Sequence, residues 1–255
     1  MKSGIRNGLA AVFVAAILVL PQASSAAAAS AAPVAGGPAG VGVCATQAAT
    51  ARSDGTIASL RAFGDCEVDR RITNLHQLLG AIGASTVLTA AHRSTLTSEI
   101  NATSSGLTSL KASIDAGVSV AVTKARIVEI ATSYRVYDLV APQVSLTSAA
   151  DGVAAIGPLF TGVSSGLAGR ISSAKAAGKD TASAQTALDA MNAAIAAAAG
   201  SASPLPAQLL GLTPAQYNAG TAGPILRSAR ASIVAARDQL KSAVADARAV
   251  IADLG

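Results

Sequence analysis

The sequence predicts an all-α protein, in which antiparallel helical hairpins form an elongated bundle with coiled-coil-like heptad seams. The main observation is a repeated step of four and three residues between large apolar side chains, which keeps them on one narrow stripe of a helix. This stripe recurs at Val68, Ile72, Leu75, Leu79 and Ile82, and at Leu96, Ile100, Thr103, Leu107, Leu110 and Ile114. In addition, no clean alternation of β-branched residues between turns follows Cys44, as strands would require.

The N-terminal segment predicts export. Lys2 and Arg6 form a basic start, residues 9–20 form an apolar run, and small residues follow at 26–29. Because this run is too short to span a bilayer, we interpret residues 1–29 as a secretory signal peptide that is cleaved near residues 26–29. An uncleaved membrane anchor is the alternative. No later stretch reaches the roughly 18 consecutive apolar residues of a spanning helix, which predicts a secreted, extracytoplasmic protein.

Two cysteines follow a flexible Ala/Pro/Gly linker at residues 30–43. In an oxidising compartment Cys44 and Cys66 are expected to form an intrachain disulfide, with a disulfide-linked dimer as the alternative. A continuous helix between them would hold the two sulfurs about 33 Å apart. The chain must therefore reverse direction, and residues 53–55 (Ser-Asp-Gly) are the predicted turn.

Residues 44–255 are predicted to form a helical bundle of about six helices, which divides near residue 142. The expected helices cover about 56–82, 90–115, 119–140 and 143–177, then a fifth capped by Asp180, a looser segment at 200–223, and a sixth at 224–254. Thr89 is a suitable N-cap for the second helix. Pro142 is expected to end the third helix, and the pair Gly157-Pro158 is expected to kink or split the fourth.

The composition argues against several classes of function. Loss of Lys2 and Arg6 with the signal peptide leaves 17 basic against 14 acidic residues, a net charge of +3. That charge is too small to indicate nucleic-acid binding. Aromatic residues make up 2% of the chain and Trp is absent, so a platform for base or sugar stacking is not expected. No residue pattern indicates a cofactor.

No catalytic residue is predicted. The sequence Gly162-Val163-Ser164-Ser165-Gly166 matches the G-x-S-x-G motif of serine hydrolases. That motif requires a strand-to-helix turn and a later histidine, whereas Ser164 lies within a helical pattern and both histidines precede it. A close contact between helices is a better explanation of the two glycines.

No metal site is predicted either. His76 and His92 lack the spacing of paired metal ligands on a helix. The acidic residues around Cys66 could bind a divalent cation, but ordinary ion pairs with the neighbouring arginines are the favoured interpretation. The acids are Asp65, Glu67 and Asp69, and the arginines are Arg61, Arg70 and Arg71.

The last helix carries a basic ridge beside its apolar seam. The five ridge residues fall within about 80° of arc at 100° per residue. They are Arg227, Arg230, Arg237, Lys241 and Arg248, and the seam consists of Ile233, Leu240, Ala247 and Ile251. Such a ridge could bind an anionic envelope polymer or lipid headgroups. The favoured alternative is that these long side chains cover the seam and pair with acids on a neighbouring helix.

The most distinctive local sequence contains two of the three tyrosines. Tyr134, Arg135, Tyr137 and Asp138 form a possible interaction segment, whereas packing of the tyrosines at a helix terminus is the favoured alternative.

This segment also carries a resemblance. The chain resembles an uncharacterised family of exported, coiled-coil-like helical proteins from high-GC Gram-positive bacteria. The similarity covers about residue 65 to the end. It lies in Ser133-Tyr134-Arg135-Val136-Tyr137-Asp138-Leu139-Val140-Ala141-Pro142, Ser148-Ala149-Ala150-Asp151, Asp69-Arg70-Arg71-Ile72, Ala176-Ala177-Gly178-Lys179-Asp180 and Leu212-Thr213-Pro214-Ala215-Gln216-Tyr217-Asn218. The resemblance implies export and helical architecture and supplies no activity.

The scarcity of catalytic groups and the extent of the helical seams favour a non-enzymatic structural or interaction protein of the bacterial cell envelope. The alternative is a helical-bundle carrier that opens around a lipid or another apolar ligand, and a hydrolase ranks third. The sequence does not identify the partner. An anionic envelope polymer, a membrane surface and another helical protein remain open, and no nucleic acid is expected.

Overall fold

The computed structural model describes residues 42–255, and every regular element in that range is helical. The all-α prediction is therefore confirmed. The predicted signal peptide and residues 30–41 of the predicted linker lie outside the described residues. The helices are α1 (Ala45–Asp54), α2 (Ile57–Ala84), α3 (Ala90–Asp115), α4 (Val120–Thr132), α5 (Ala141–Ala176), α6 (Ala182–Ala202), α7 (Leu205–Leu210), α8 (Pro214–Asn218) and α9 (Ala222–Leu254).

The described chain divides into two compact units. Unit 1 contains the described residues up to Ser85, together with Arg93–Ser145 and Thr213–Gly220. Unit 2 contains Thr86–His92, Leu146–Leu212 and Thr221–Gly255. The chain passes from a long segment of unit 1 to a long segment of unit 2 between Ser145 and Leu146, inside α5.

Unit 1 begins with a helical hairpin closed by the disulfide between Cys44 and Cys66, whose Cα atoms are 5.8 Å apart. The predicted reversal occurs at Gly55, which ends α1 in the left-handed conformation with φ of 60°. Thr56 then caps α2, because its side chain accepts a hydrogen bond from the Ser59 N–H. The segment before the turn is helical as α1, which the sequence analysis did not predict.

The core of unit 1 follows the predicted stripes on α2 and α3. Of the eleven stripe positions, eight are buried, among them Val68, Leu75 and Ile82 on α2 and every aliphatic position on α3. α4 approaches α2 at Gly64, where an added Cβ would lie 3.1 Å from Ile114 and 3.2 Å from Ile127. The four-three spacing thus identifies the core of this unit.

The chain between α4 and α5 differs from the prediction. α4 ends at Thr132, and a π-helical turn, Val136–Val140, leads directly into α5. The predicted helix end before Pro142 is therefore wrong. Pro142 follows the π-helical turn by two residues, at the point where the hydrogen-bond spacing changes from five residues to four, and the chain continues through it as α5. At Gly157-Pro158 a kink or a split was predicted; the split does not occur, since α5 runs unbroken through Pro158, and the kink stays a prediction.

Unit 2 is built on the antiparallel pair of α6 and α9, which pack along each other. The buried positions of α9 are spaced alternately four and three residues apart along its whole length, and many of these positions are alanine. They are Ala222, Leu226, Ala229, Ile233, Ala236, Leu240, Ala243, Ala247, Val250 and Leu254. Small side chains at a helix contact allow a short distance between the two helix axes. Part of the segment predicted to be looser is helical, as α7 and α8, and α7 packs against α9.

Two helical stretches have the length and composition of a membrane-spanning helix. They are Val120–Ala176 and Ala182–Leu210, with mean hydropathies of 1.3 and 1.2 over their most apolar windows. No spanning helix was predicted after the signal peptide, because no run of consecutive apolar residues is long enough. Frequent alanines nevertheless raise the mean hydropathy of these two stretches. Length and composition do not separate a spanning helix from a core helix of a soluble protein.

Candidate functional site

The tyrosine segment of unit 1 closes a polar cluster on α2. The guanidinium carbons of Arg70 and Arg71 lie 4.8 and 5.2 Å from the ring centroid of Tyr137. Glu67 accepts hydrogen bonds from both arginines, at 2.7 Å from Arg70. The buried Asn74 donates to the Tyr137 hydroxyl oxygen at 2.8 Å. Each of these five side chains therefore has a partner within the cluster.

The charges of this cluster are arranged to keep Glu67 ionised. Burial alone would raise the pKa of Glu67, but the hydrogen bonds from Arg70 and Arg71 outweigh it and lower that pKa. The pKa of Tyr137 is raised because burial disfavours the phenolate. The cluster is thus a carboxylate paired with two arginines and covered by the ring of Tyr137.

Tyr134 packs against α3. An added Cβ on Gly106 would lie 2.6 Å from Cε1 of the tyrosine ring, so only glycine leaves room for the ring there. Burial raises the pKa of Tyr134, as it does for Tyr137.

Arg135 joins the tyrosine segment to α8. Its guanidinium lies 5.0 Å from the ring centroid of Tyr217, and its Nε donates to Asn218 Oδ1 at 2.9 Å. Asn218 in turn donates to the Thr132 carbonyl oxygen at 2.8 Å, while Arg135 pairs with Asp138 at 3.2 Å. These contacts hold Arg135 in the left-handed region, with φ of 43°, which costs roughly 1–2 kcal/mol for a residue with a side chain.

The four residues of the predicted interaction segment are thus engaged inside unit 1. Tyr137 contacts side chains of α2, Tyr134 packs against α3, Arg135 contacts α8, and Asp138 pairs with Arg135. Their packing accounts for the tyrosines, as the favoured alternative predicted, while a role of this segment in binding a partner stays a prediction.

Unit 2 contains a histidine–aspartate pair that the sequence analysis missed. The Nδ1 atom of His92 lies 2.9 Å from both carboxylate oxygens of Asp151, which is 5% exposed. Asp151 also accepts from the Thr89 N–H at 2.9 Å, and the Thr89 hydroxyl accepts from the His92 N–H at 3.2 Å. Thr89 therefore caps α3 as predicted. Asp151 accepts a hydrogen bond from the Thr89 N–H at the start of this helix. The sequence pattern did not predict this contact, because Asp151 lies 62 positions after Thr89.

Two of the three acidic residues around Cys66, Glu67 and Asp69, form ion pairs, whereas Asp65 forms none and its Oδ1 is buried without a hydrogen-bond partner among the described residues. Glu67 pairs with Arg70 and Arg71, and Asp69 accepts two hydrogen bonds from Lys111 at 2.7 Å. Burial, followed by the charge of Asp115, raises the pKa of Asp65. Among residues 42–255, no group of three or more His, Cys, Asp or Glu side chains is arranged to hold a metal ion.

Ser164 lies in the middle of α5 and lacks the turn on which a nucleophile elbow depends. It lines an open groove of about 300 Å³ between α5 and α6. The groove is lined by Phe160, Thr161, Ser164, Ser165, Asn192, Ile195 and Ala196. Its mixed apolar and hydroxyl lining, and its volume at the lower end of the range for ligand pockets, suit a small or partly buried apolar group.

The basic ridge lies on the surface of α9. Four of its five residues are exposed, and Arg237 is half-buried. Lys241 pairs with Asp238 at 2.7 Å, and both side chains are well exposed to solvent. In the part of the chain that the structure describes, no ion pair engages Arg227, Arg230, Arg237 or Arg248. The favoured expectation that the ridge pairs with acids on a neighbouring helix is therefore wrong for these four arginines.

One carboxyl group has an unusual environment. Burial raises the pKa of Glu99, on α3, to about 7. No hydrogen bond or ion pair compensates this burial among the described residues. No charged group contributes to the raised pKa of Glu99, which therefore bears on the stability of unit 1.

Comparison of the chain with protein families, with curated proteins and with solved structures finds no match. The function therefore has to be argued from the surfaces and clusters described above.

Proposed function

We propose that this chain is an exported, non-enzymatic interaction protein of the bacterial cell envelope. The observation that carries the proposal is the contrast between paired and unpaired charges. The arginines of the tyrosine cluster are paired inside unit 1, whereas four arginines on α9 have no acidic partner, and three of these four are exposed to solvent. Unpaired, aligned cations on a stable helix are suited to bind an anionic component of the surroundings.

Two further observations support an extracytoplasmic location. The disulfide between Cys44 and Cys66 is of a kind that persists mainly in oxidising compartments. The basic and apolar N-terminal residues have the order of a secretory signal peptide. The resemblance to exported helical proteins agrees with both.

Cell fractionation tests this proposal. The untagged protein is detected by antibody in medium, wall and membrane fractions, and we expect most of it with the envelope. The variant carrying Arg227→Gln, Arg230→Gln and Arg248→Gln should move toward the medium. A control with Arg52→Gln, Arg170→Gln and Lys175→Gln removes the same charge from exposed positions off α9 and should stay. Recovery of the wild-type protein only from the medium, or only from the cytoplasm, would overturn the proposal.

A second candidate function is a carrier for a lipid or another apolar ligand. The groove beside Phe160 and Ile195 favours it, together with the exposed Leu159, which is 65% accessible. Native mass spectrometry of freshly purified protein should then show a bound apolar molecule that Phe160→Ala releases. A mass equal to that of the bare chain would count against the carrier.

A further inference from the structure

We propose that the ridge on α9 binds a linear polyanion that carries phosphate groups along its length. This inference rests on the proposed function for the place where the polymer is met, but the binding itself is a property of the ridge. It concerns the five ridge residues already defined.

The spacing of the ridge favours a chain of anions over a single one. With a rise of about 1.5 Å per residue, Arg227 and Arg248 are about 32 Å apart along the helix axis. Successive ridge residues are separated by three to seven positions, which corresponds to roughly 5–10 Å. One phosphate can therefore contact at most two neighbouring ridge residues, whereas a polymer with repeated charges can contact all of them.

The side chains suit phosphate. Four of the five ridge residues are arginines. The planar guanidinium donates two parallel hydrogen bonds to phosphate or carboxylate oxygens and is less strongly hydrated than a lysine ammonium. An arginine without an acidic partner retains these donors for a ligand.

The distribution of acids leaves the ridge open to an anion. Between Ala222 and Arg237, α9 contains three arginines and no acidic residue. Asp238 lies at the edge of the ridge and pairs with Lys241. At 100° per residue, Asp246 and Asp253 lie roughly 140° around the helix from the centre of the ridge. On the facing helix α6, Asp189 is exposed and accepts a hydrogen bond from Gln185.

The packing of α9 argues against a membrane as the occupant. Helices that lie on a lipid surface need an apolar face that enters the boundary between headgroups and acyl chains. The apolar seam of α9 is buried within unit 2. Only Val234, at 52%, is an exposed large aliphatic residue on this helix. The ridge thus offers charge without an apolar face, which suits a polymer in water.

A binding titration with fluorescently labelled inorganic polyphosphate tests the inference. The purified mature chain is titrated at several salt concentrations and followed by fluorescence anisotropy. For the variant with Arg227→Gln, Arg230→Gln and Arg248→Gln we expect Kd to rise about 10- to 100-fold. The slope of log Kd against log salt should fall by about 2 to 3, because each lost contact removes roughly one unit. These positions are exposed, and Gln is a good helix former, so the fold should persist.

The control is the variant with Arg52→Gln, Arg170→Gln and Lys175→Gln, which has the same net charge. It should bind polyphosphate within about 2-fold of the wild-type chain, because it keeps every ridge residue that contacts the polymer. Equal loss in both variants would mean that net charge alone drives binding and would overturn the inference. A circular dichroism spectrum identical to that of the wild-type chain must accompany each titration.

Three further probes distinguish other occupants. Binding to vesicles of anionic lipid without binding to polyphosphate would overturn the inference in favour of a membrane. Monophosphate that displaces polyphosphate at equal phosphate concentration would overturn the claim that the ligand is linear. Tighter binding to polyglutamate than to polyphosphate would overturn the preference for phosphate.

The outcomes also separate this inference from the proposed function. Ridge-dependent polyphosphate binding by a protein found only in the medium would leave the inference standing and remove the envelope role. An envelope-bound protein that does not bind polyphosphate would leave the envelope role standing and overturn the inference.

Discussion

Units 1 and 2 use the same four-three spacing to build different interiors. On α2 and α3 of unit 1 the buried positions are mostly Leu, Ile and Val, and all three tyrosines of the chain belong to this unit. On α6 and α9 of unit 2 about half of the buried positions are alanine. Unit 1 therefore gains stability from large buried side chains, whereas unit 2 depends on close approach of two backbones.

The two units also place their charges differently. Arg70 and Arg71 of unit 1 are largely covered and serve Glu67 and Tyr137. Arg227 and Arg230 of unit 2 are exposed and form no ion pair with an acidic residue in the described part of the chain. Arg70 and Arg71 therefore stabilise the fold of unit 1, whereas Arg227 and Arg230 have no such partner in unit 2.

The largest expected effect is the loss of stability that a cavity in unit 1 would cause. Leu107→Ala should lower the free energy of unfolding by about 2–5 kcal/mol, because Leu107 is fully buried and the truncation leaves a void. Urea unfolding followed by tyrosine fluorescence measures it, since the tyrosines report unit 1 alone. The exposed Val128→Ala is the control and should change stability by less than about 0.5 kcal/mol. Similar effects of the two substitutions would contradict the large-side-chain core.

The disulfide of unit 1 should contribute nearly as much. Replacing both Cys44 and Cys66 by serine should cost about 3 kcal/mol, because the crosslink limits the unfolded chain over a separation of 22 residues. The same tyrosine signal measures the loss, and reduced wild-type protein should match the variant. Free thiols in unfolded, unreduced wild-type protein would show that the bond does not form.

A smaller effect is expected from overpacking in unit 2. Ala236→Leu should destabilise by about 1–3 kcal/mol, because Ala236 has no exposed surface and the added carbons must separate α9 from α6. Far-ultraviolet circular dichroism during urea unfolding measures it. Ala235→Leu places the same side chain on the exposed face of α9 and should be nearly neutral. If Ala236→Leu is equally neutral, close backbone approach does not stabilise unit 2.

The smallest expected effect is the pH dependence due to Glu99. The pKa of Glu99 in the folded state, about 7, exceeds that of an unfolded chain. Between roughly pH 4.5 and 7 the unfolded state has released a proton that the folded state keeps, so stability falls as pH rises. Glu99→Gln removes this loss.

The gain of the Glu99→Gln variant over the wild type should therefore be larger at pH 8 than at pH 4, by about 1 kcal/mol after allowance for partial exposure. Urea midpoints from tyrosine fluorescence at both pH values measure it. The control is Glu129→Gln, which removes from unit 1 a carboxylate that pairs with Arg126. Parallel stability curves for wild type and Glu99→Gln would exclude the burial effect.

Much of the fold could be predicted because it depends on local pattern. The stripes of α2 and α3, the cap at Thr89 and the turn at Gly55 follow from spacing, a hydroxyl before a helix and a glycine that tolerates positive φ. The cysteine pair followed from counting two cysteines and requiring a reversal between them.

The errors lie where distant residues decide local conformation. Pro142 was expected to end a helix, yet a π-helical turn precedes it and the helix continues through it. Arg135 adopts positive φ because Tyr217 and Asn218, more than 80 positions later, hold its guanidinium. The ridge residues could be listed from the sequence, whereas their lack of acidic partners could not.

The sequence by itself determined the all-α class, the seams, the helix caps and the positions of the charges on each helix. These depend on side chains within about one or two helical turns, so periodicity is sufficient. Only the tertiary structure decided which charges are used and which are free. Glu67 pairs with two arginines beside Tyr137, and Asp151 contacts His92 across 59 positions of the chain. Pairing over such separations depends on how helices pack, because the Coulomb and hydrogen-bond energies that select partners act over a few ångströms in space.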